Sequence, residues 1–428
     1  MFEIQFGFKQ LSPLQLHVAR WVVPVSAPPL ERGAVAIFGN KVVAVGPANE
    51  LRAALIDAEQ IDHGDAVIIP GLINCHSHLE LSPLKWRLSP SGSFTAWICN
   101  LIKARENIEP HEYEKALEEA VKTLHGNGVA GLADTGNTSL VWEKASSESS
   151  LWPFAGIHFK EILHPEKGRM EELIRDLRMG YENNGWFNFG YSAHSVYTVA
   201  PKAIQAIKMR DDQLNLPFSI HVAESKEEIE FVRDSKGPIY ELLIEKGRNP
   251  EDFKMDSYSP VKLLKELNVL DGRTICVHCV HIDEHDIEIL ASSKASVCLC
   301  PRSNMFLGVG TPPVEKLIEA NINIALGTDS LASNDRLSIF AEMASLARQC
   351  PSLDTATIFK AATKGGAAAL HLKGLGSLEH GSAPLLYVIK SGPLNSKDLF
   401  DYLVLEVAES LPESYWAVEE TDWMESYG

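Results

Sequence analysis

Residues 66–78 read Ala-Val-Ile-Ile-Pro-Gly-Leu-Ile-Asn-Cys-His-Ser-His. The run is apolar as far as Asn74 and ends in polar residues, two of them histidines at i and i+2. A short apolar run bounded by turn residues reads as a strand buried on both faces. We place the first strand at 66–74, and seven more follow at 129–134, 154–160, 187–193, 218–222, 274–277, 295–299 and 322–326. Helical patterns, such as 111–125 and 314–320, separate most of them. Alternating strands and helices build parallel βαβ units, and eight repeats close into a (β/α)8 barrel of the TIM type.

On either side of these repeats the pattern changes. Residues 16–25, 33–38 and 41–45 are short β-branched runs, with a Gly39-Asn40 turn between the last two. The runs 385–389 and 402–407 look β-like as well. The expected architecture is an α/β chain with a barrel at 66–370 and a small β-domain assembled from 1–65 and 371–428. A chain of 428 residues has room for a barrel of about 250 and a smaller part.

Composition narrows the class. Hydrophobic residues make up 45% and charged residues 22%, as in a soluble globular enzyme. The formal net charge of -18 argues against a surface built to neutralise nucleic-acid phosphates. No apolar run is long enough to span a bilayer, and the first ten residues lack the pattern of a signal peptide, so a cytoplasmic location is expected. The seven cysteines are scattered and odd in number, which fits a reducing compartment. Cys276/Cys279 and Cys298/Cys300 lie in apolar strand-like runs and read as core fillers.

Barrel chemistry gathers at the C-terminal ends of the strands. Those ends carry His76 and His78 on strand one, His194 on strand four, and His221 with Glu224 on strand five. Strand six carries His278 and strand eight Asp329. In an extended segment i and i+2 point the same way, so His76 and His78 can share one cation, and His221 and Asp329 complete an imidazole–carboxylate set. Glu224, three residues after His221 at the strand mouth, is the acid/base candidate; a non-ligand Glu has that role in zinc deaminases of another fold. The acidic stretch 224–230 otherwise reads as a helix start, where carboxylates suit the dipole. Arg302, Ser303 and Asn304 read as shaping the strand-seven loop. His281 reads as a loop residue, and His111, His125, His285, His371 and His380 as surface or helix residues.

The motifs PGLINCHSH (70–78), HVAE (221–224), HCVH (278–281), CPRSN (300–304) and LGTDSLASND (326–335) resemble the amidohydrolase superfamily, in the branch of chlorohydrolase-like and nucleoside-deaminating enzymes. The resemblance implies one divalent metal, Zn²⁺ first with Fe²⁺ and Mn²⁺ as alternatives, held by His76, His78, His221 and Asp329. It implies that Glu224, His278 and Asp329 are catalytic. His278 would hydrogen-bond the nucleophile and the tetrahedral intermediate, and Asp329 would take the water's proton. It also implies that His194, in the segment Ser192–Thr198, contacts substrate. Binuclear members carry a carboxylated lysine at the end of strand four. That place here is Ser192-Ala193-His194, and Lys160 on strand three is the nearest lysine, so one metal is expected.

Within that branch, His78-Leu79-Glu80-Leu81-Ser82, Phe94-xx-Trp97 and the run 327–334 are most similar to aminodeoxyfutalosine deaminases. This implies hydrolytic deamination at C6 of an adenosine-type nucleoside, with 6-amino-6-deoxyfutalosine of a menaquinone route as the expected substrate, and release of ammonia. Phe94 and Trp97 are either a pocket wall or core at i and i+3; Glu80 is either a ribose contact or a core-edge residue. The alternatives are a methylthioadenosine or S-adenosylhomocysteine deaminase, a guanine deaminase or triazine-type hydrolase, and a metal-free barrel serving as a binding subunit. The implied partners are a small-molecule substrate and a second copy in a homodimer, with neither nucleic acid nor membrane. One departure from the family pattern is Pro384, where an Asp usually follows the Ala.

Overall fold

The computed structural model describes residues 13–147, 152–163, 183–184, 187–253 and 257–418. The chain divides into two compact units. One takes Met1–Pro70, Ser377–Ser396 and Pro412–Gly428, and the other Gly71–Gly376 and Lys397–Leu411.

The second unit is the barrel. Its eight parallel strands are Leu72–Ser77, Val129–Gly136, Ala155–Ile162, Phe187–Ser195, Phe218–Val222, Thr274–His278, Ser296–Leu299 and Ile324–Leu326, each paired with the next in chain order. Leu72–Ser77, Phe218–Val222 and Thr274–His278 are buried at every position, as strands covered on both faces must be. The ring closes between its first and last strands through a Ser77–Asp329 bridge, with the Asp329 N–H donating to the His76 carbonyl at 3.0 Å. Asn74 and Thr328 lace the same seam from below. The Asn74 amide donates to Thr328 Oγ1 at 2.8 Å, and the Thr328 N–H donates to Asn74 Oδ1 at 3.1 Å. The approach is close enough to require Gly327, where a Cβ would lie 2.8 Å from both the Cβ and the carbonyl oxygen of His76.

The first unit is a mixed sheet. Gln15–Val22 runs antiparallel to Leu30–Phe38, which pairs with Lys41–Pro47. Gln15–Val22 also runs parallel to Glu59–Asp62 and Ala66–Pro70. The C-terminal segment completes the sheet, with Leu386–Lys390 antiparallel to Ala66–Pro70 and to Ser414–Trp416. Val22, Val35, Ile37, Ile68, Leu386 and Val388 form its core, each contributing about 1.5–3 kcal/mol through burial.

Two elements differ from the sequence expectation. The run at 66–74 is two strands, Ala66–Pro70 in the mixed sheet and Leu72–Ser77 in the barrel, parted at Gly71. An unbroken apolar run does not reveal that it serves two sheets. The run 402–407 is helical, within Leu399–Ser410, and packs on helix Ile339–Gln349 in the barrel unit. Short continuous apolar runs do not distinguish helix from strand by periodicity. The seven cysteines are free thiols, six of them buried and Cys99 half-buried.

His17 in the mixed sheet stacks on His63 with 5.4 Å between ring centroids. His17 Nδ1 lies 3.1 Å from His63 Nε2, and His63 Nδ1 lies 2.8 Å from the Tyr415 hydroxyl. Burial, and then the like charge of His63, pushes His17 down to about 4. The native state therefore holds a neutral ring below pH 6.5, where the unfolded chain takes up a proton. Stability is fully present above that pH and falls as pH drops toward about 4, by about 3 kcal/mol from this residue. In urea unfolding, His17→Gln is expected to lose less stability than the wild type on going from about pH 7 to about pH 4.5. Equal losses would show that the ring protonates freely in the folded protein.

Candidate metal and acid–base site

Extended backbone through Leu72–Ser77 sends His76 and His78 to the barrel mouth, and both are buried. His221, on strand Phe218–Val222, meets them. The ring centroid of His76 is 4.7 Å from that of His78 and 4.8 Å from that of His221. Candidate ligand atoms of the three histidines all lie within 4.8 Å of one another. Asp329 Oδ1 stands 3.9 Å from His76 Nε2 and 3.7 Å from His78 Nε2.

The donor set fits a divalent cation. His221 Nδ1–H donates to the His194 carbonyl at 2.7 Å, which leaves Nε2 bare, 3.1 Å from His76 Nε2. Burial, then the neighbouring imidazoles, holds His76 well below its ordinary value. Burial, then His194, lowers His221 to about 3. Neutral imidazoles carry the lone pairs that a metal needs. Burial alone would raise Asp329, but His78, His278 and the Ser303 hydroxyl hold it below the usual carboxylate range. Ser303 Oγ donates to Asp329 Oδ2 at 2.5 Å, and the Ser330 N–H donates to Oδ1 at 2.8 Å.

Opposite stand Glu224 and His278. Glu224 is buried, and burial followed by the charge of Asp329 pushes its carboxyl well above the ordinary range. Its Oε1 is 3.5 Å from His278 Nε2. His278 Nδ1–H donates to Asn304 Oδ1 at 2.9 Å, leaving Nε2 as the acceptor that faces the site. Burial lowers the His278 ring as well. Ala223, His278, Cys279 and Asp329 all take positive φ (+52°, +74°, +48° and +55°), so the mouths of strands five, six and eight hold backbone in the left-handed region.

The residues around this mouth explain how such backbone is kept in place, and sequence reasoning had passed over most of them. Glu228 is fully buried, and its carboxylate accepts the N–H groups of Ala223 at 2.9 Å and Glu224 at 2.8 Å. It anchors the left-handed turn that aims Glu224. Glu227 turns the other way. It accepts Ser93 Oγ–H at 3.1 Å and the N–H groups of Phe94 at 3.2 Å and Thr95 at 2.9 Å, capping helix Phe94–Arg105 from outside that helix. Asp134 Oδ1 accepts the Leu79 N–H at 2.8 Å, fixing the chain just beyond His78, and its Oδ2 bonds His158 Nδ1 at 2.7 Å. At the end of strand three, Glu161 rather than Lys160 faces the site. Glu161, His194 and His221 form a second group of close ligand atoms. Glu161 Oε1 is buried with no hydrogen-bond partner among the described residues. Strand alternation was the available signal for Glu161.

A cavity of 460 Å³ opens beside these groups. Its lining includes His194, whose Nδ1 lies 2.7 Å from Thr198 Oγ1 and whose ring burial lowers to about 3. Phe94 and Trp97 line it too, their centroids 6.4 Å apart, while Trp97 also packs with Leu81, Leu84 and Ile108. Glu80 lines it with both oxygens engaged. Oε1 accepts from Arg105 at 3.2 Å and the Asn137 N–H at 2.9 Å, and Oε2 accepts from the N–H and Oγ1 of Thr138 at 2.9 and 2.7 Å.

Comparison with known proteins agrees with this geometry. The chain is 27% identical over 383 residues to the 5-methylthioadenosine/S-adenosylhomocysteine deaminase of Nitratidesulfovibrio vulgaris, spanning 87% of this chain and 82% of the relative. It is 29% identical over 353 residues to the aminodeoxyfutalosine deaminase of Deinococcus radiodurans, spanning 78% and 80%. The fold matches the crystal structure of Helicobacter pylori aminofutalosine deaminase in complex with methylthio-coformycin, with a TM-score of 0.80, 21% identity, and coverage of 91% and 96%. The Amidohydrolase family matches residues 67–408, a span that includes His76, His78, His221, Glu224, His278 and Asp329, and the chain belongs to that family.

Proposed function

We propose that this chain is a metal-dependent aminohydrolase acting on an adenosine-type nucleoside, with 6-amino-6-deoxyfutalosine as the preferred substrate. One observation carries the reading: a buried Glu224 lines the same cavity as His78, His221 and Asp329, and His76 stands within 4.8 Å, ring to ring, of both of those histidines. Hydrolytic removal of an amino group from a purine needs a proton delivered to the ring nitrogen as water adds to the adjacent carbon, and a neutral carboxylic acid supplies it. The relatives from N. vulgaris and D. radiodurans support the nucleoside class, and the second supports the finer substrate.

His76, His78, His221 and Asp329 would hold one Zn²⁺, the ion that suits imidazole with carboxylate. When bound, it supplies the Lewis acidity that makes a water nucleophilic near neutral pH. The remaining steps belong to the chain. Glu224 gives its proton to N1 as the oxygen–C6 bond forms. His278, with a bare Nε2 fixed by Asn304, accepts a hydrogen bond from the attacking water and orients it. Asp329 takes a proton from that water and returns it to the amino group; the C6–N bond breaks and ammonia leaves, while the remaining C6 hydroxyl proton passes to Glu224, which forms the C6 carbonyl and restores the acid. His194, Phe94 and Trp97 hold the substrate, the aromatic pair against its rings. Glu80, with about four lone-pair sites facing four protein donors, shapes the 137–138 loop instead of grasping a ribose hydroxyl.

The zinc-loaded protein is expected to release ammonia from aminodeoxyfutalosine faster than from S-adenosylhomocysteine, methylthioadenosine or adenosine, and to leave guanine and a chlorotriazine unchanged. Failure to turn over any adenosine at full zinc occupancy would overturn the reading. A faster rate with methylthioadenosine or S-adenosylhomocysteine would keep the chemistry and move the substrate. Glu224→Gln should lower kcat by about 10²–10⁴-fold with zinc content unchanged. Glu228→Gln removes one acceptor from the turn beneath Glu224. It should lower kcat by about tenfold, with smaller changes in KM and in bound zinc. A normal kcat in Glu228→Gln would show that the turn holds without it.

A further inference from the structure

The cavity that holds the acid–base groups is acidic at the barrel mouth, with Glu161, Glu224 and Asp329 in its lining. Outward, its walls become apolar. Helix Phe94–Arg105 contributes Phe94, Trp97 and Leu101, and helix Pro238–Glu245, packed against it, contributes Ile239, Leu242 and Leu243. Just past the second helix the lining turns basic, at Lys246 and Arg248.

The cations of this cavity are not equivalent. Arg105 is spent on Glu80 at 3.2 Å and on Asn137 Oδ1 at 2.8 Å. Lys246 is exposed and lies 3.8 Å from Glu245. Arg248 is half-buried, and its backbone N–H is tied to the Leu243 carbonyl at 2.8 Å, which fixes where the side chain starts. Its guanidinium has neither a hydrogen bond nor a carboxylate within 4.0 Å among the described residues. In a chain of net charge -18, a half-buried cation left unpaired inside a ligand cavity is an open position for an anion.

We propose that Arg248 is the specificity-determining contact for a carboxylate carried on an apolar arm of the nucleoside, beyond the ribose. The apolar walls favour an arm such as an aryl or thioether chain between sugar and carboxylate over a phosphate attached directly to the sugar. The inference rests on the nucleoside reading above.

Binding and turnover test it separately. Calorimetry on the zinc-loaded protein would compare S-adenosylhomocysteine, which carries a carboxylate on a thioether arm, with methylthioadenosine, which carries the thioether alone, and with adenosine monophosphate. The wild type is expected to prefer S-adenosylhomocysteine to methylthioadenosine by about 10- to 100-fold. Arg248→Gln should abolish that preference while methylthioadenosine binding and the melting temperature stay unchanged, and Arg248→Lys should restore part of it. In turnover, Arg248→Gln should raise KM for aminodeoxyfutalosine and leave kcat in place. A preference that is absent, or that survives in Arg248→Gln, overturns the subsite. Equal weakening of every ligand overturns it too, and tighter binding of adenosine monophosphate than S-adenosylhomocysteine overturns the apolar-arm reading. A wild-type preference that is lost in Arg248→Gln, without ammonia release from any nucleoside, would instead overturn the deaminase reading and leave the subsite standing.

Discussion

A ring of parallel strands has to be closed somewhere, and in this chain the closing seam runs through two residues of the candidate metal site, His76 and Asp329. The first and last strands meet through the Ser77–Asp329 bridge and the bond from the Asp329 N–H to the His76 carbonyl. The Asn74–Thr328 pair reinforces the seam one layer down, and Gly327 lets the strands approach without a clash. His76 and Asp329 are therefore joined by backbone before any ion arrives. Buried imidazoles and a carboxylate would cost several kcal/mol to gather on flexible loops. Here the barrel's own hydrogen bonding gathers them.

From that seam the site is built by carboxylates with different duties, separated by what surrounds each one. Asp329 is kept ionised by nearby histidines and hydroxyls. Glu224 is pushed the other way, toward its neutral form, by burial and by the charge of Asp329. Two acidic groups in one cavity whose surroundings shift them in opposite directions suit the proposed delivery of a proton on one side and its uptake on the other. Left-handed backbone at Ala223, His278 and Asp329 aims those groups; Glu228 holds the turn before Glu224 by its N–H groups, and Asn304 and Ser303 fix the side chains of His278 and Asp329.

The barrel and the clustering of these side chains at its mouth were largely legible in the sequence, because strand periodicity and position at a strand end place a side chain directly. His76, His78, His221, Glu224, His278 and Asp329 each end an apolar run, and the structure brings them to one mouth. What stayed hidden depends on contacts between elements far apart in sequence. The 66–74 run gave no hint that its halves serve two sheets, and the apolar run at 402–407 was compatible with either helix or strand. Ser303 and Asn304 stood in a visible motif, but their partners Asp329 and His278 lie 26 positions away in opposite directions. Glu227 and Glu228 looked like helix-start charges because that role is local. Their actual partners are the N-terminus of helix Phe94–Arg105 and the backbone of the turn before their own helix.

The cap that Glu227 places on Phe94–Arg105 bears on how this scaffold can be re-engineered or diversified. The helix carrying the pocket's aromatic wall is not an interchangeable cassette, because its first turn is finished by a carboxylate three residues from Glu224. A transplanted wall helix of different entry angle would leave that carboxylate without its donors and pull on the segment that aims the acid. Selectivity and proton delivery are thus mechanically linked across one turn of helix. A new substrate preference is reached more readily by changing side chains on the existing helix than by replacing the helix itself.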